Sequence, residues 1–249
     1  MIEQICWDIV AESIDYVELK FSIDKYIKYF SPIEIIKLIY LKMNEESQKW
    51  GFSFGLVLSL KYESDRSTQR HIAKLIENPD VANCLVGLDT VGNEEFFEYC
   101  FYQPILQEWR KYGKGLQMHV GETKSSENVR AAIELGVDRI AHGIHAANDI
   151  DTMRQAIEKN ICFDIALTSN VYTGIVRSYS EHPVKQMIDA GCIISIGTDD
   201  PYILQTKLDN EYQHLSNICN INDNTLLEII KNSEDYAFKH LLINDRNIQ

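Results

Sequence analysis

The sequence is organised around one stretch, Leu116-Gln117-Met118-His119-Val120-Gly121-Glu122. Strand-compatible residues lead to His119, a glycine follows after one residue, and Glu122 comes three positions after the histidine. In barrel and doubly wound α/β enzymes, the side chains that do the chemistry stand at the carboxyl ends of the parallel strands. The stretch therefore predicts a strand whose end delivers His119 and Glu122 to a functional site.

Three other apolar runs end in a similar way. Residues 139–143 end at His142 and a glycine, and residues 193–201 carry Asp199 and Asp200 just past the run. Residues 84–89 end at Asp89 and continue into a turn that contains Gly92. Because the carboxyl ends of parallel strands meet at one edge of a sheet, we expect these imidazoles and carboxylates to converge on one spot.

Strand patterns alternate with helix patterns along the chain, which indicates parallel βαβ units with right-handed crossovers. Ser31 and Pro32 form a good helix start, and Asp223 or Asn224 is expected to cap the last helix. The predicted strands are seven: 16–21, 52–60, 84–89, 116–120, 139–142, 161–166 and 192–198. The later helices are predicted at 66–77, 94–112, 125–136, 149–159, 183–190 and 207–242.

The composition is ordinary for a soluble globular protein, and no repeat or linker divides residues 1–249, so one domain is predicted. A net charge of −13 argues against binding to DNA or RNA, whose affinity depends on lysine and arginine. No apolar run approaches the roughly 18 residues of a membrane span, and no signal peptide is apparent at the N-terminus. Six scattered cysteines without a CxxC pair favour reduced thiols in a cytoplasmic protein.

Five short motifs follow or form the ends of the predicted strands. They are Gly-Leu-Asp-Thr-Val-Gly-Asn-Glu at 87–94, His-Val-Gly-Glu at 119–122, Ala-His-Gly at 141–143, Thr-Ser-Asn at 168–170 and Thr-Asp-Asp-Pro at 198–201. In these motifs and their order, the chain resembles the adenosine deaminase family, within the amidohydrolase superfamily, from about residue 16 onward. The resemblance implies a TIM-type (β/α) barrel and a purine deaminase-like activity, converting a 6-aminopurine to a 6-oxopurine with release of ammonia.

The resemblance also implies roles for four side chains in the chemistry. His119 and Asp199 are similar to ligands of the family's zinc ion, and Glu122 is similar to the acid that protonates the purine N1. His142 is similar to the residue that orients the attacking water. Without the resemblance, His119 and His142 would be structural histidines, and Glu122 would be a helix-leading acid favoured by the helix dipole.

Two further residues resemble substrate-binding groups of the family. Asp200 is similar to the carboxylate that meets the purine N7, and Gly92 is similar to the loop glycine whose N–H meets N3. An Asp-Asp-Pro turn is the structural alternative for the first. Asp89 is interpreted as structural or as a support for the catalytic groups, and Ser169 and Asn170 as residues that order the loop after a strand.

The chain departs from the family at the first strand, which in the family carries a His-x-His pair of metal ligands. Here no histidine precedes His71. Three alternatives follow: the metal site is lost, it is altered by recruiting His145 or another residue, or a partner subunit or a start upstream of Met1 supplies the strand. We expect an N-terminal helix, direct closure between strands or another chain to fill the gap, because exposed strand edges are normally covered or paired.

The resemblance constrains the sugar part of the substrate less than the purine ring. The resemblance allows adenosine, deoxyadenosine or a 5′-monophosphate, and Lys20, Arg177 or Lys185 are candidates for contacting a phosphate.

The alternative function is a catalytically silent adenine-nucleotide-binding or assembly subunit, as in a bacterial antiviral system, and another amidohydrolase reaction ranks last. Ala166 and Leu167 replace the family's Cys-Pro before the Thr-Ser-Asn motif. The remaining histidines are interpreted as surface or structural, with His145 as the leading exception: 71, 145, 182, 214 and 240.

Overall fold

A computed structural model describes residues 2–219 and 221–238. Within these residues, seven parallel strands follow one another in the sheet in sequence order. Sequential parallel strands separated by helices are the arrangement of (β/α) barrels. The strands are β1 (Tyr16–Phe21), β2 (Ser53–Lys61), β3 (Gly87–Val91), β4 (Gly115–Val120), β5 (Arg139–His142), β6 (Cys162–Ile165) and β7 (Ile193–Ile196).

Helical segments connect the strands and follow the last one. Short 3-10 helices lie at Lys74–Glu77, Glu94–Phe96, Ile144–Asn148 and Tyr179–Glu181. The α-helices of the described residues are α1 (Ile2–Ala11), α2 (Pro32–Trp50), α3 (Arg66–Ala73), α4 (Pro79–Ala82), α5 (Tyr99–Lys111), α6 (Ser126–Leu135), α7 (Ile150–Glu158), α8 (Leu167–Tyr172), α9 (Val184–Asp189), α10 (Pro201–Leu204), α11 (Leu208–Cys219) and α12 (Asp223–Asp235).

The observed elements differ from the predictions in several places, three of which concern a strand start or the division of a long helix. The third strand begins at Gly87 rather than at residue 84, because α4 and the turn after it hold the chain outside the sheet until Val86 donates to Leu56. The predicted helix 94–112 is divided into a 3-10 turn and α5. The predicted helix from residue 207 is divided into α11 and α12. The cap of α12 is Asn222, whose side chain accepts from the Thr225 N–H, and the prediction of Asp223 or Asn224 as the cap was wrong. The part of the predicted last helix beyond residue 238 lies outside the described residues.

The described residues form two compact units. The first contains residues 2–116 with Phe238, and the second contains residues 117–237. Strand β4 contributes to both: its first two residues pair with β3 and its last four pair with β5. The assignment of residues 1–249 to a single domain stays a prediction.

In the first unit, α1 packs against α2, and the Cys6 Sγ lies 3.8 Å from the Met43 Sδ in their buried contact. Strand β1 pairs with β2 along its whole length. Whether a further element covers the other edge of β1 stays a prediction.

Phe238 fills a space that glycines leave open in the first unit. Its ring is buried with Val57 and Val86, and its backbone N–H donates to Glu18 Oε1 at 2.6 Å. A Cβ on Gly115 would collide with the Phe238 ring. The glycine therefore lets Phe238 reach the sheet.

We expect Gly115→Ala to lower the free energy of unfolding by about 1–3 kcal/mol, because the added methyl group overpacks the space around Phe238. Chemical denaturation followed by circular dichroism measures the change. Phe238→Leu in the same background should recover part of the loss, since neighbouring residues are not additive. Unchanged stability of Gly115→Ala would show that the Phe238 ring does not press on this strand.

In the second unit, the strands share a polar network below their carboxyl ends. Arg139 Nε donates to Gln117 Oε1 at 2.9 Å, and Gln117 Nε2 lies 3.4 Å from Asp164 Oδ2. Ser195 Oγ donates to the other oxygen of Asp164 at 3.3 Å. Buried polar groups that satisfy one another in this way hold neighbouring strands in a single arrangement.

None of the described helices is long and apolar enough to cross a bilayer. The cysteines whose side chains are described are free thiols: Cys6, Cys84, Cys100, Cys162 and Cys192.

Candidate active site

Three potential metal ligands meet at the strand ends of the second unit. His119 is on β4, His142 ends β5, and Asp199 follows β7. One candidate ligand atom from each lies within 4.8 Å of the other two. The two imidazole rings are 5.2 Å apart and are arranged edge to face. The structure thus brings together residues that are separated by up to 80 positions in the chain.

Two of these side chains, those of His142 and Asp199, stand on residues with a left-handed backbone conformation. His142 has φ +58° and Asp199 has φ +54°, which is uncommon for residues other than glycine. Gly121 and Gly143, which follow β4 and β5, also have positive φ values. Non-glycine residues in this conformation cost about 1–3 kcal/mol each and cluster at functional sites.

Two carboxylates face the outer edge of the His142 ring. Glu122 Oε2 lies 3.8 Å from His142 Nε2, and Asp199 Oδ2 lies 3.9 Å from the same nitrogen. The His142 side chain is 3% exposed, whereas that of Glu122 is 21% exposed. An acid, an imidazole and a ligand group therefore border one small region, as acid–base chemistry on a bound molecule requires.

Helix α8 orients Asp199 through a hydrogen bond from Ser169. Ser169 Oγ donates to Asp199 Oδ2 at 2.7 Å. The helix is itself held by Glu211, which is fully buried and accepts from the Thr168 N–H at 3.1 Å and from Thr206 Oγ1 at 2.7 Å. The carboxylate of Glu211 thus fixes the start of α8, and α8 orients Asp199.

The profile of the adenosine deaminase family matches residues 2–241. The chain belongs to the adenosine deaminase family. It is 29% identical over 238 residues to an adenosine deaminase of Clostridium kluyveri, an alignment that covers 93% of this chain and 67% of that protein. The chain thus spans about two thirds of the length of this relative.

Solved structures show the same fold. An amidohydrolase from Burkholderia ambifaria with bound zinc superposes with a TM-score of 0.88 at 18% identity, covering 95% of this chain and 67% of that one. The Arabidopsis N6-mAMP deaminase gives 0.84 at 20% identity, covering 97% and 75%. The predicted α/β fold of the TIM type is therefore confirmed.

The donor set fits a metal ion of the zinc type. Imidazole nitrogens and carboxylate oxygens are usual zinc ligands in proteins, and His119 and Asp199 supply one of each, with the His142 imidazole beside them. This group of the deaminase-family chain is thus able to hold a metal ion.

His145 does not belong to that group in the described residues. Its Nδ1 lies 3.0 Å from the Gly121 carbonyl oxygen, and its backbone N–H donates to the same oxygen at 2.9 Å. Since a carbonyl oxygen only accepts hydrogen bonds, Nδ1 carries the hydrogen. His145 therefore fixes the turn between His119 and Glu122 through Nδ1, and its recruitment as an additional ligand stays a prediction.

Of the two interpretations of His182, surface or structural, the structure agrees with the second. The side chain is buried and is linked through Asn170 to His142. Burial, with a smaller contribution from His142, lowers the pKa of His182 to about 4. Its only sequence signal was the His-Pro dipeptide before α9. His240 lies outside the described residues.

The predicted substrate-binding residues have different surroundings. Asp200 is exposed and precedes α10, where its carbonyl accepts from the first turn. Gly92 belongs to the first unit, has φ +99° and follows β3, where Glu63 accepts from the Asn93 N–H at 3.2 Å. Asp89 is fully buried on β3. The conformation of Gly92 is one that suits glycine.

The phosphate candidates are spread along the chain. Lys185 forms an exposed ion pair with Asp189 at 2.8 Å on α9, and Arg177 is exposed in the loop before α9. Lys20 lies on β1 in the first unit. A role in phosphate binding stays a prediction for all three.

Proposed function

We propose that the chain is a metal-dependent purine deaminase that converts a 6-aminopurine nucleoside or 5′-monophosphate to the 6-oxopurine with release of ammonia. The observation that carries this proposal is the convergence of Glu122 and His142 with His119 and Asp199 at the strand ends of the second unit. Membership of the adenosine deaminase family supports it.

In this proposal the metal is zinc, held by the His119 imidazole and the Asp199 carboxylate. Bound zinc lowers the pKa of water from about 15.7 to about 7, which makes hydroxide available at neutral pH. The hydrogen bond from Ser169 fixes the Asp199 carboxylate in place. Carboxylate ligands that are oriented by such partners bind metal more tightly than free ones.

Different side chains orient the water and transfer the protons in this proposal. His142 orients the attacking water toward C6, and Glu122 protonates the ring N1 as the C6–O bond forms. The C6–N bond then breaks as the proton of the new C6 hydroxyl passes to the amino group, so ammonia leaves and the 6-oxo group remains. The other proton of the attacking water restores the acid form of Glu122. Asp200 is proposed to accept a hydrogen bond from a protonated N7. Contact between Gly92 and N3 stays a prediction from the sequence.

The test is an assay of the purified full chain with adenosine, deoxyadenosine, AMP and dAMP, with and without added Zn²⁺. We expect ammonia and the 6-oxopurine in equal amounts with at least one substrate. The nucleotides are included because a structural relative is named an N6-mAMP deaminase. Purine binding without product from any substrate, in zinc-loaded protein, would overturn the proposal in favour of the silent binding subunit.

The proposed setting is the reducing cytoplasm, in keeping with the free thiols of the described cysteines. The proposed partner is a small purine molecule. Oligomer formation and a partner subunit stay predictions.

A further inference from the structure

We infer that His182 and Asn170 are positioning residues that hold the His142 imidazole in the tautomer with its hydrogen on Nε2. Their catalytic meaning rests on the function proposed above, whereas the tautomer itself does not. The inference follows from a chain of hydrogen bonds that begins at the first backbone N–H group of α9 and ends at His142.

The first link fixes the His182 ring. The Val184 N–H donates to His182 Nδ1 at 3.1 Å. A backbone N–H group is only a donor, so Nδ1 must carry a lone pair. The neutral ring then carries its hydrogen on Nε2. The low pKa of His182 agrees with a neutral ring near pH 7.

The second link fixes the Asn170 amide. His182 Nε2 lies 3.1 Å from Asn170 Oδ1, and its hydrogen requires an acceptor there. The amide therefore turns its Nδ2 group toward His142 Nδ1, at 3.1 Å. All three side chains are buried. Reversing the amide would set two buried donors against each other at the His182 end.

The third link fixes the His142 ring. Because Nδ1 accepts from Asn170, the neutral ring carries its hydrogen on Nε2, the nitrogen that faces Glu122 and Asp199. A protonated ring nitrogen has no lone pair for a metal. His142 therefore acts as a hydrogen-bond donor in the site, and His119 and Asp199 are left as the ligands of the three-residue group.

This arrangement suits the proposed reaction. A donor on Nε2 holds the oxygen of the attacking water, and the carboxylates on that side favour the same hydrogen position. The hydrogen bond that reaches His142 comes from Asn170 on α8, which is itself held by His182 in the loop before α9, so the ring is oriented from the side opposite to the reacting groups. Asn170 and His182 act through His142 rather than on the substrate.

The direct test is the tautomer of His142 in the ¹⁵N-histidine-labelled full chain, read from two-bond ¹H–¹⁵N correlation spectra. We expect the pattern of a neutral ring with hydrogen on Nε2, assigned by its loss in His142→Gln. A ring with hydrogen on Nδ1 in the wild-type protein would overturn the inference. This measurement needs neither substrate nor metal.

The decisive variant is Asn170→Asp, because both oxygens of an ionised carboxylate accept hydrogen bonds. We expect the hydrogen of His142 to move to Nδ1 and kcat to fall about 10- to 100-fold with KM nearly unchanged. His214→Gln is the matched control, since His214 stacks on Tyr179 and has no bond to this chain of residues. His142 that keeps its hydrogen on Nε2 alone in Asn170→Asp would contradict the inference.

The two proposals fail in different ways. An inactive wild-type protein whose His142 shows the expected tautomer, and whose Asn170→Asp variant shows the switch, supports the positioning chain and rejects the deaminase. An active wild-type protein whose His142 carries hydrogen on Nδ1 supports the deaminase and rejects the positioning chain.

Discussion

Glu122→Gln is expected to lower kcat for purine deamination by about 10²- to 10⁴-fold, the usual contribution of a general acid or base. Glutamine has the size of glutamate and donates a hydrogen bond, but it does not deliver a proton to the ring N1. Binding of the purine should change much less than kcat. Initial rates of ammonia release over a range of substrate concentrations separate the two effects.

Glu127→Gln is the matched control for this prediction. Glu127 is exposed in the first turn of α6, five positions from Glu122, and the substitution removes the same charge. Glu127→Gln should leave kcat unchanged. Both variants should keep the metal content of the wild-type protein, because neither carboxylate belongs to the group of His119, His142 and Asp199. Equal rates for the two variants would remove Glu122 from the mechanism.

Local rules of the sequence were sufficient where a few neighbouring residues decide the structure. Ser31 caps α2 with Pro32 in its first turn, as predicted, and Ser125 and Gly136, the two ends of the predicted helix 125–136, cap α6. Strands β1 and β5 have the predicted bounds. These features depend on backbone groups within four residues, so the sequence carries their whole cause.

The parts of the site that the sequence did not reveal depend on residues far apart in the chain. Glu211 holds Thr168 across 43 positions, and His182 reaches His142 only through Asn170. Neither Glu211 nor His182 follows a strand, so the rule about strand ends did not select them. Buried polar partners of this kind become visible only when packing places them against a backbone N–H group or a ring nitrogen.

The same distinction applies to the metal ligands. The sequence supplied His119, His142 and Asp199 as residues at strand ends, and the resemblance divided them into two ligands and one donor. The hydrogen bonds around His142 give a physical reason for that division, because a ring fixed with hydrogen on Nε2 has no free lone pair there. Geometry alone, with three candidate atoms within 4.8 Å, does not distinguish the roles.

His119→Ala is expected to abolish stoichiometric zinc binding, and Ser169→Ala is expected to weaken it by about 10- to 100-fold. The first change removes one of the two proposed ligands. The second removes the 2.7 Å hydrogen bond that holds the Asp199 carboxylate from α8. Zinc content after dialysis, followed by competition with a chromophoric chelator, measures both effects, and activity should fall in the same order.

His71→Ala is the matched control for the loss of a histidine, since His71 is exposed on α3 in the first unit and is able to bind zinc only weakly as a lone imidazole. It should retain the zinc of the wild-type protein. The comparison of zinc affinity between His119→Ala and Ser169→Ala is informative, because losing a ligand and losing a residue that only orients a ligand both lower the affinity but by different amounts. Wild-type zinc affinity in His119→Ala would place the metal elsewhere in the chain, and wild-type affinity in Ser169→Ala alone would show that Asp199 is held in place without α8.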